Sequence, residues 1–233
     1  MRETETPEQC AKKSNRRQGH SCNYAAMTSS PTVVTSIDAL ETLYPQVNPN
    51  SLTKETSVIL PEYRTLIEAS PFVSLATVGP AGMDCSPRGD RPQAVHVVDE
   101  TTLHLPDRRG NNRMDSLRNI VEDGRVALLW LIPGITECMR VNGRAVLRAD
   151  DAARELYPMR GALPATVIEI TVEAVYFQCA RAVKRADLWN PAVQVERDSL
   201  PTPGQIMTSI TSGAFDGQAY DDALQQRQAE TLY

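Results

Sequence analysis

The stretch that most limits how this chain can fold is 103–147, LHLPDRRGNNRMDSLRNIVEDGRVALLWLIPGITECMRVNGRAVL. A short apolar strand at 103–105 runs into a polar loop carrying Asp107, Arg108, Arg109 and Gly110. Asn111 and Asn112 read as caps of a helix whose apolar positions Met114, Leu117 and Val121 fall at helical spacing. After Asp123-Gly124 comes an unbroken apolar run, 126–132, the right length for a buried strand and too short for a membrane span. The Pro133-Gly134 turn then leads to a second strand over 136–147. Arg108, Arg109 and Arg113 crowd a Gly-Asn-Asn helix start, where free amides and the positive end of the helix dipole favour an anion. Arginine forks match phosphate oxygens in pairs, and glycine lets backbone approach them. This is a phosphate seat, or else a solvated charged loop before a capped helix.

The flanks extend the same pattern. Thr35 or Ser36 caps a helix over 37–44 with Ile37, Leu40 and Leu43 or Tyr44 on one face. A helical stretch over 51–68 is interrupted or kinked at Pro61, and its last part, Tyr63 to Ile67, docks on the sheet. FVSLATV (72–78) is a strand, GPAG (79–82) a hairpin turn, and MDCS (83–86) the returning strand. PRGDRP (87–92) reads as a non-regular crossing, followed by a strand at 94–99. Beyond the central stretch, Asp150 or Asp151 caps a helix over 152–157. TVIEITVEAVYFQ (166–178) is a last long strand, and 179–189 a closing helix or extended crossing. The tail carries Pro191, Pro201, Pro203 and Gly204 before an amphipathic end, 221–232. Hairpins in series imply an antiparallel sheet or barrel with peripheral helices, not a doubly wound parallel fold.

Composition narrows the class further. The 233 residues suit one domain with dispensable ends, and 41% hydrophobic content supports a core. A formal charge of −5 argues against a nucleic-acid binder, and no long apolar run argues for a membrane. Five scattered cysteines without a C-x-x-C suit a reducing cytoplasm. Residues 1–30 are polar and without apolar periodicity, which reads as a disordered extension, and Met27 offers an alternative start. Cys10, His20 and Cys22 within it are too sparse for a metal site, and none is expected.

Ser86, Pro87, Arg88, Gly89 and Asp90 form a second polar knot, in which Arg88 paired to Asp90 is the simple structural reading. No nucleophile triad, H-E-x-x-H, P-loop or G-x-G-x-x-G is present. His96 and His104 lie within strands, and Trp130 and Trp189 read as core. An anion seat without an evident acid, base or nucleophile suits a protein whose bound cofactor brings the chemistry.

The run FVSLATVGPAG, SPRGD, LHLPDRRGNNRMDSLRNIVEDGRVALLWLIPG, RVNGRA and C-A-R-A-x-x-R-x-x-L-W resembles the pyridoxamine 5′-phosphate oxidase-related flavoproteins. Within them it is similar to the branch described as probable FMN-dependent, without an assigned substrate. The likeness covers about 70–189, with a weaker one to the terminal E-T-L-Y.

The resemblance implies a mainly β (α+β) fold, an antiparallel split β-barrel of the FMN-binding type with peripheral helices. It implies a homodimer with FMN in two clefts at the interface. Carried over residue by residue, Arg109, Asn111, Asn112 and Arg113 would hold the phosphate, with Ser86 and Arg88 reaching from the S-P-R-G-D strand. Leu105, Pro106 and Asp107 would edge the isoalloxazine or ribityl chain. Glu137, Lys184 and Arg185 would come from the partner subunit. On this reading 31–190 is the flavin-binding domain with N-terminal helices, and 191–233 packs on it or on the partner.

The segment VYFQCARAVKRADLW lacks the R-L-H-x-R pattern that grips substrate phosphate in true pyridoxamine phosphate oxidases, which puts that reaction in doubt. The expected function is an FMN-dependent oxidoreductase taking electrons from a small organic substrate or a reduced nicotinamide. A non-catalytic flavin binder or carrier, and a deazaflavin- or haem-binding barrel with His104 as the haem candidate, are the alternatives.

Overall fold

The computed structural model describes residues 33–232. The extension at 1–30, with Cys10, His20 and Cys22, lies outside the described residues. The chain divides into two units, Met1–Val47 and Asn48–Tyr233. In the first, α1 (Ile37–Glu41) is capped by Ser36, whose Oγ accepts the Ala39 N–H at 3.2 Å. It stops short of the expected residue 44, and Ile37, Leu40 and Leu43 are exposed. Five residues turn little more than once, too few to set an apolar stripe.

The second unit is built on seven strands: β1 (Phe72–Gly79), β2 (Gly82–Gly89), β3 (His96–Val97), β4 (Thr102–Pro106), β5 (Arg125–Leu131), β6 (Cys138–Arg148) and β7 (Val167–Gln178). They form one sheet in the order β2-β1-β5-β6-β7-β4-β3, every neighbouring pair antiparallel. This is the mainly β, α+β fold that the hairpin series implies. The strand expected at 94–99 shrinks to two residues. Conversely, β2 runs on through Pro87 and Arg88, where a non-regular crossing was expected. Pro87 is tolerated because β2 is an edge strand and needs no second ladder.

The sheet curls almost to closure. Arg88 on the edge strand β2 pairs with Asp107, one residue past β4 near the opposite edge, at 2.7 Å. The Asp90 and Ala94 amides, from the link between β2 and β3, donate to Pro71 O and Ser70 O beside β1. Inside lies one apolar cluster that includes Leu75, Trp130, Met139, Leu103 and Ile170 from five different strands. Alternation along each strand produces it: in β1, Val73, Leu75 and Thr77 point inward and are buried.

Pro61 interrupts the helical stretch, the first of the two expected forms, and does not kink it. It opens α3 (Pro61–Glu68), separate from α2 (Asn50–Thr53), because proline suits a first helical position whose N–H has no partner anyway. As expected, Tyr63 and Ile67 dock this helix. The helix α4 (Asp115–Glu122) begins later than the Asn111-Asn112 cap and buries Ser116, Asn119 and Ile120. Met114 and Val121, expected on its apolar face, are exposed. The inward face is partly polar because Asn119 Nδ2 donates to Thr77 Oγ1 on β1 at 3.1 Å.

Then follow α5 (Asp151–Arg154), capped by Asp150 as expected, and α6 (Arg181–Ala186). Trp130 is core, whereas Trp189 is not: it lies beyond α6, where its indole N–H donates to Ile135 O at 2.7 Å. The tail forms α7 (Pro203–Ile210), α8 (Gly217–Asp222) and α9 (Leu224–Thr231). Thr202 and Gln205 make a reciprocal capping box at the start of α7. No residue of α9 is buried.

The ladder between β6 and β7 slips once. Asn142 pairs with Ala174 and Gly143 with Val172, leaving Glu173 without an opposite residue. At Gly143 the strands close up: an added Cβ would sit 2.2 Å from Thr171 O. Gly143→Ala is therefore expected to destabilise the protein by about 1–3 kcal/mol, read as a lower urea midpoint at an unchanged denaturant slope.

Candidate functional site: the cleft at the barrel seam

Alternation in β2 sends Asp84, Ser86 and Arg88 to one side, opposite Thr77, Leu75 and Val73. That side faces the end of β4 and the start of α4. Ser86 Oγ and Ser116 Oγ both donate to Asp84 Oδ2, at 2.8 and 2.5 Å. The Ser116 bond is the main cause that holds the Asp84 carboxyl below its ordinary value, with Ser86 and the Arg88 charge adding to it against burial.

β4 ends at Leu105-Pro106, and the Asp107 amide extends its pairing by donating to Thr166 O at 2.9 Å. The chain then turns out through two crossed ion pairs. Arg88 holds Asp107, and Arg108 Nε holds Asp90 Oδ2 at 2.7 Å, so the simple Arg88–Asp90 pairing is replaced by a cross between strands. Both pairs are well covered, with side chains 21% and 16% exposed in the first and 15% and 6% in the second. Arg88 Nε is buried with no partner among the described residues.

Past the cross, the Gly110-Asn111-Asn112 segment is loop, not helix start. Asn111 Oδ1 accepts the Arg113 N–H at 3.0 Å, and Asn112 and Met114 adopt left-handed φ of 58° and 60°. Asparagine tolerates that conformation by bonding its own backbone, whereas methionine does so at a cost that its surroundings must repay. Arg113 pairs with Asp115. Among the described residues, no ion pair or hydrogen bond reaches the Arg109 guanidinium.

These groups border a cleft of about 950 Å³. Ser86, Arg88, Leu105, Pro106, Asp107, Arg109, Asn111, Asn112 and Arg113 all line it. Glu137, Lys184 and Arg185 do not. Glu137 adjoins the start of β6, and Lys184 and Arg185 lie exposed on α6.

The opposite wall carried no sequence expectation. Residues 157–165 form a tight hairpin in which Met159 and Ala162 pair across Arg160 and Gly161, with φ of 50° and 82°. Two successive left-handed residues are what a two-residue hairpin turn requires, and Arg160-Gly161 was the local signal for it. Arg108 donates to Tyr157 O and Arg154 to Pro164 O, at 2.7 and 2.9 Å, fixing both ends.

Behind the wall, His104 is buried with Nδ1 2.9 Å from Tyr157 Oη and Nε2 3.1 Å from Glu169 Oε2. Both ring nitrogens are engaged, and His104 does not line the cleft. That removes it as a haem ligand, because an axial ligand needs a free nitrogen facing the group. His96 stacks on Tyr157 at 4.5 Å, and burial, then the nearby Arg108 charge, push its pKa below the usual value.

A family model described as pyridoxamine 5′-phosphate oxidase matches residues 59–179, just over half of the chain. The chain belongs to that family. The match begins at Ile59, before α3, and ends just past β7, so it spans the whole curled sheet and every β residue of the cleft. Similar solved structures include Group A Streptococcus HupZ, 20% identical over 51% of this chain and 93% of that one, with a TM-score of 0.43. A putative pyridoxamine 5′-phosphate oxidase from Lactobacillus delbrueckii is 22% identical over 52% and 95% of the two chains, with a TM-score of 0.42. An FMN-binding protein from Syntrophomonas wolfei is 15% identical over 52% and 86%, with a TM-score of 0.41. No curated protein matches. Membership of the family rests on the matched residues alone.

Asp84 gives the site a pH signature. A carboxyl held below its ordinary 3.8 favours the folded state above that value, and the contribution disappears as pH falls through the lowered pKa. Asp84→Asn is expected to flatten the acid side of the thermal-stability profile below about pH 4 and to leave its neutral-to-alkaline slope unaltered. Melting temperatures of both proteins between pH 2.5 and 8 check this.

Proposed function

We propose that the cleft binds FMN and that the protein is an FMN-dependent oxidoreductase of the pyridoxamine 5′-phosphate oxidase-like class, its substrate unassigned. The observation that carries this reading is the unspent cationic capacity at one end of the cleft. Among the described residues Arg109 has no ion-pair partner and Arg88 Nε is buried without an acceptor, and the Arg113 side chain, although paired with Asp115, is 78% accessible. A buried donor without a partner costs free energy that an incoming acceptor would recover. A phosphate ester supplies such acceptors, so the residues present fit the cofactor. Family membership supports the same choice.

When bound, FMN would supply two-electron transfer at its ring system, chemistry that belongs to the cofactor. The chain's own part is holding and orienting. Arg109 and Arg113 bind the phosphate, with the Asn111-Asn112 turn fixing where the two guanidiniums stand. Leu105 and Pro106 give an apolar edge for the ring or the polyol chain. Asp107 is held by Arg88 and so is fixed in place. Ser86 and Ser116 have given their hydrogens to Asp84, so each hydroxyl offers the cleft an acceptor, suited to a hydroxyl or N–H of the cofactor.

A second reading, a non-catalytic flavin carrier, is favoured by one observation. Asp90, Asp107 and Asp115 in the cleft are all ion-paired, and His96, His104 and Tyr157 stand outside its lining, so among the described residues the lining carries no histidine and no unpaired carboxylate to move a proton. Oxidation of a reduced donor faster than by free FMN separates enzyme from carrier.

We also propose a homodimer, paired over the outer face of β1 and β5. There Ser74 lies opposite Leu129 and Ala76 opposite Ala127, a small-to-apolar strip with half-exposed Phe72 and Leu131 beside it. Cys85, Cys138 and Cys179 are free thiols, which accords with a cytoplasmic setting.

Arg109→Ala and Arg113→Ala are each expected to weaken FMN binding by about 1.5–3 kcal/mol, the value of a charge-assisted bond. The larger loss is expected at Arg109, which has no carboxylate competing for it. Titration of apoprotein with FMN, followed by visible absorption and flavin fluorescence, gives both affinities. Wild-type protein that binds no FMN rules out the reading.

A further inference from the structure

We propose that the remainder of the cleft, beyond the arginine end, takes an uncharged, largely apolar second ligand and rejects a phosphate ester. The inference rests on the cofactor reading above for what occupies the arginine end.

Charge accounting is the first argument. Five arginines border the cleft: Arg88, Arg108, Arg109, Arg113 and Arg154. Four are committed to carboxylates, Arg88 to Asp107, Arg108 to Asp90, Arg113 to Asp115 and Arg154 to Asp151. Only Arg109 among the five has no such partner in the described residues. One dianionic cofactor phosphate therefore uses the whole uncompensated charge that this chain's described residues bring to the cleft, and draws on Arg88 Nε and Arg113 besides. A second phosphate would enter a half-enclosed space whose remaining guanidiniums are neutralised, a placement that desolvation makes unfavourable.

Arg154 shows the point most directly. It is the arginine bonded to the hairpin wall, and its guanidinium is taken twice, by Pro164 O and by Asp151 Oδ1. It fastens the wall, and its charge is offset by Asp151.

The wall itself is the second argument. The hairpin brings Met159, Ala162, Leu163 and Pro164 into the lining, and Leu232 borders the cleft as well. Leu163 keeps 41% of its surface exposed although it borders a cleft, and Met159 is half-buried. Their backbone is held in a two-residue turn with both ends bonded, so these side chains are presented by a fixed frame. Apolar side chains offered from a rigid hairpin gain by covering an apolar molecule and gain nothing from an anion. Size agrees: about 950 Å³ stands at the upper end of the range for ligand pockets, room for a cofactor and a second molecule.

The test is a binding measurement on FMN-reconstituted full-length protein, by equilibrium dialysis with two probes. One is menadione, uncharged and bicyclic; the other is pyridoxamine 5′-phosphate, which carries a phosphate dianion. Expected is saturable menadione binding at one site per chain, weakened more than tenfold by Leu163→Asp and by Met159→Asp and kept within threefold by Leu163→Met. Pyridoxamine 5′-phosphate is expected to bind at least tenfold more weakly than menadione. No menadione binding, equal binding by both aspartate variants, or tighter binding of the phosphate ester would each overturn the inference. Flavin content is read separately from the same samples. Protein that takes up no FMN yet binds menadione in a Leu163-dependent way loses the cofactor reading and keeps this one.

Discussion

The crossed ion pairs at the seam, Arg88 with Asp107 and Arg108 with Asp90, are the interaction on which the rest of the structure depends. They join residues from opposite ends of one sheet, which no backbone ladder does in this fold. Charges this well covered are expensive to strip of water, and the cost is recovered only while each keeps its partner. The seam is therefore intolerant of half-measures: losing one aspartate leaves an arginine buried and unpaired. In return, the pairs set where β4 ends, where the arginine loop departs and, through Arg108 and Tyr157, where the opposite wall stands.

Binding and folding consequently draw on the same residues. The cleft is not carved into a finished scaffold; it is the gap left where the curled sheet fails to close. Arg88 closes the seam with one nitrogen and keeps another buried and unsatisfied beside the cleft. Loops on either side of such a gap can change while the sheet stays the same. Here the arginine loop and the 157–165 hairpin are those two sides.

Much of this was legible in the sequence where side-chain period and burial agree. The long strands β5, β6 and β7 and the β1–β2 hairpin follow from apolar runs, alternation and turn residues, and nine of the residues proposed for the site do meet in one cleft. The rest was hidden for physical reasons. β2 carries Asp84, Ser86 and Arg88 on its inward side, so no apolar alternation marks its second half, and residues 87–89 read as an irregular crossing. The caps assigned to Asn111 and Asn112 failed because Asn112 and Met114 turn left-handed; asparagine favours such a turn as readily as a cap, and nothing local predicts it for methionine. The helix α7 had a clear local signal, Thr202 and Gln205 flanking Pro203, but sat in a segment whose prolines suggested a tail. The pairing of Arg88 with Asp107 spans nineteen residues between two strands that share no ladder, which no local pattern encodes.

The slip at Glu173 has a consequence for how this barrel can vary. Upstream of it, β7 turns Ile168, Ile170 and Val172 to the interior; downstream, the inward residue is Val175. A single strand thus keeps two inside–outside phases, with the change of phase absorbed by one residue. The upstream phase belongs to β4 and the cleft, since residues 167–171 are the ones that pair with it. The downstream phase belongs to α6 and the Cys138–Cys179 end of the sheet. A gain or loss of one residue beside Glu173 can be taken up there without disturbing either half, whereas the same change within 167–171 would invert the strand that supports the cleft. The bulge divides β7 into a part that is free to drift in evolution and a part that is not.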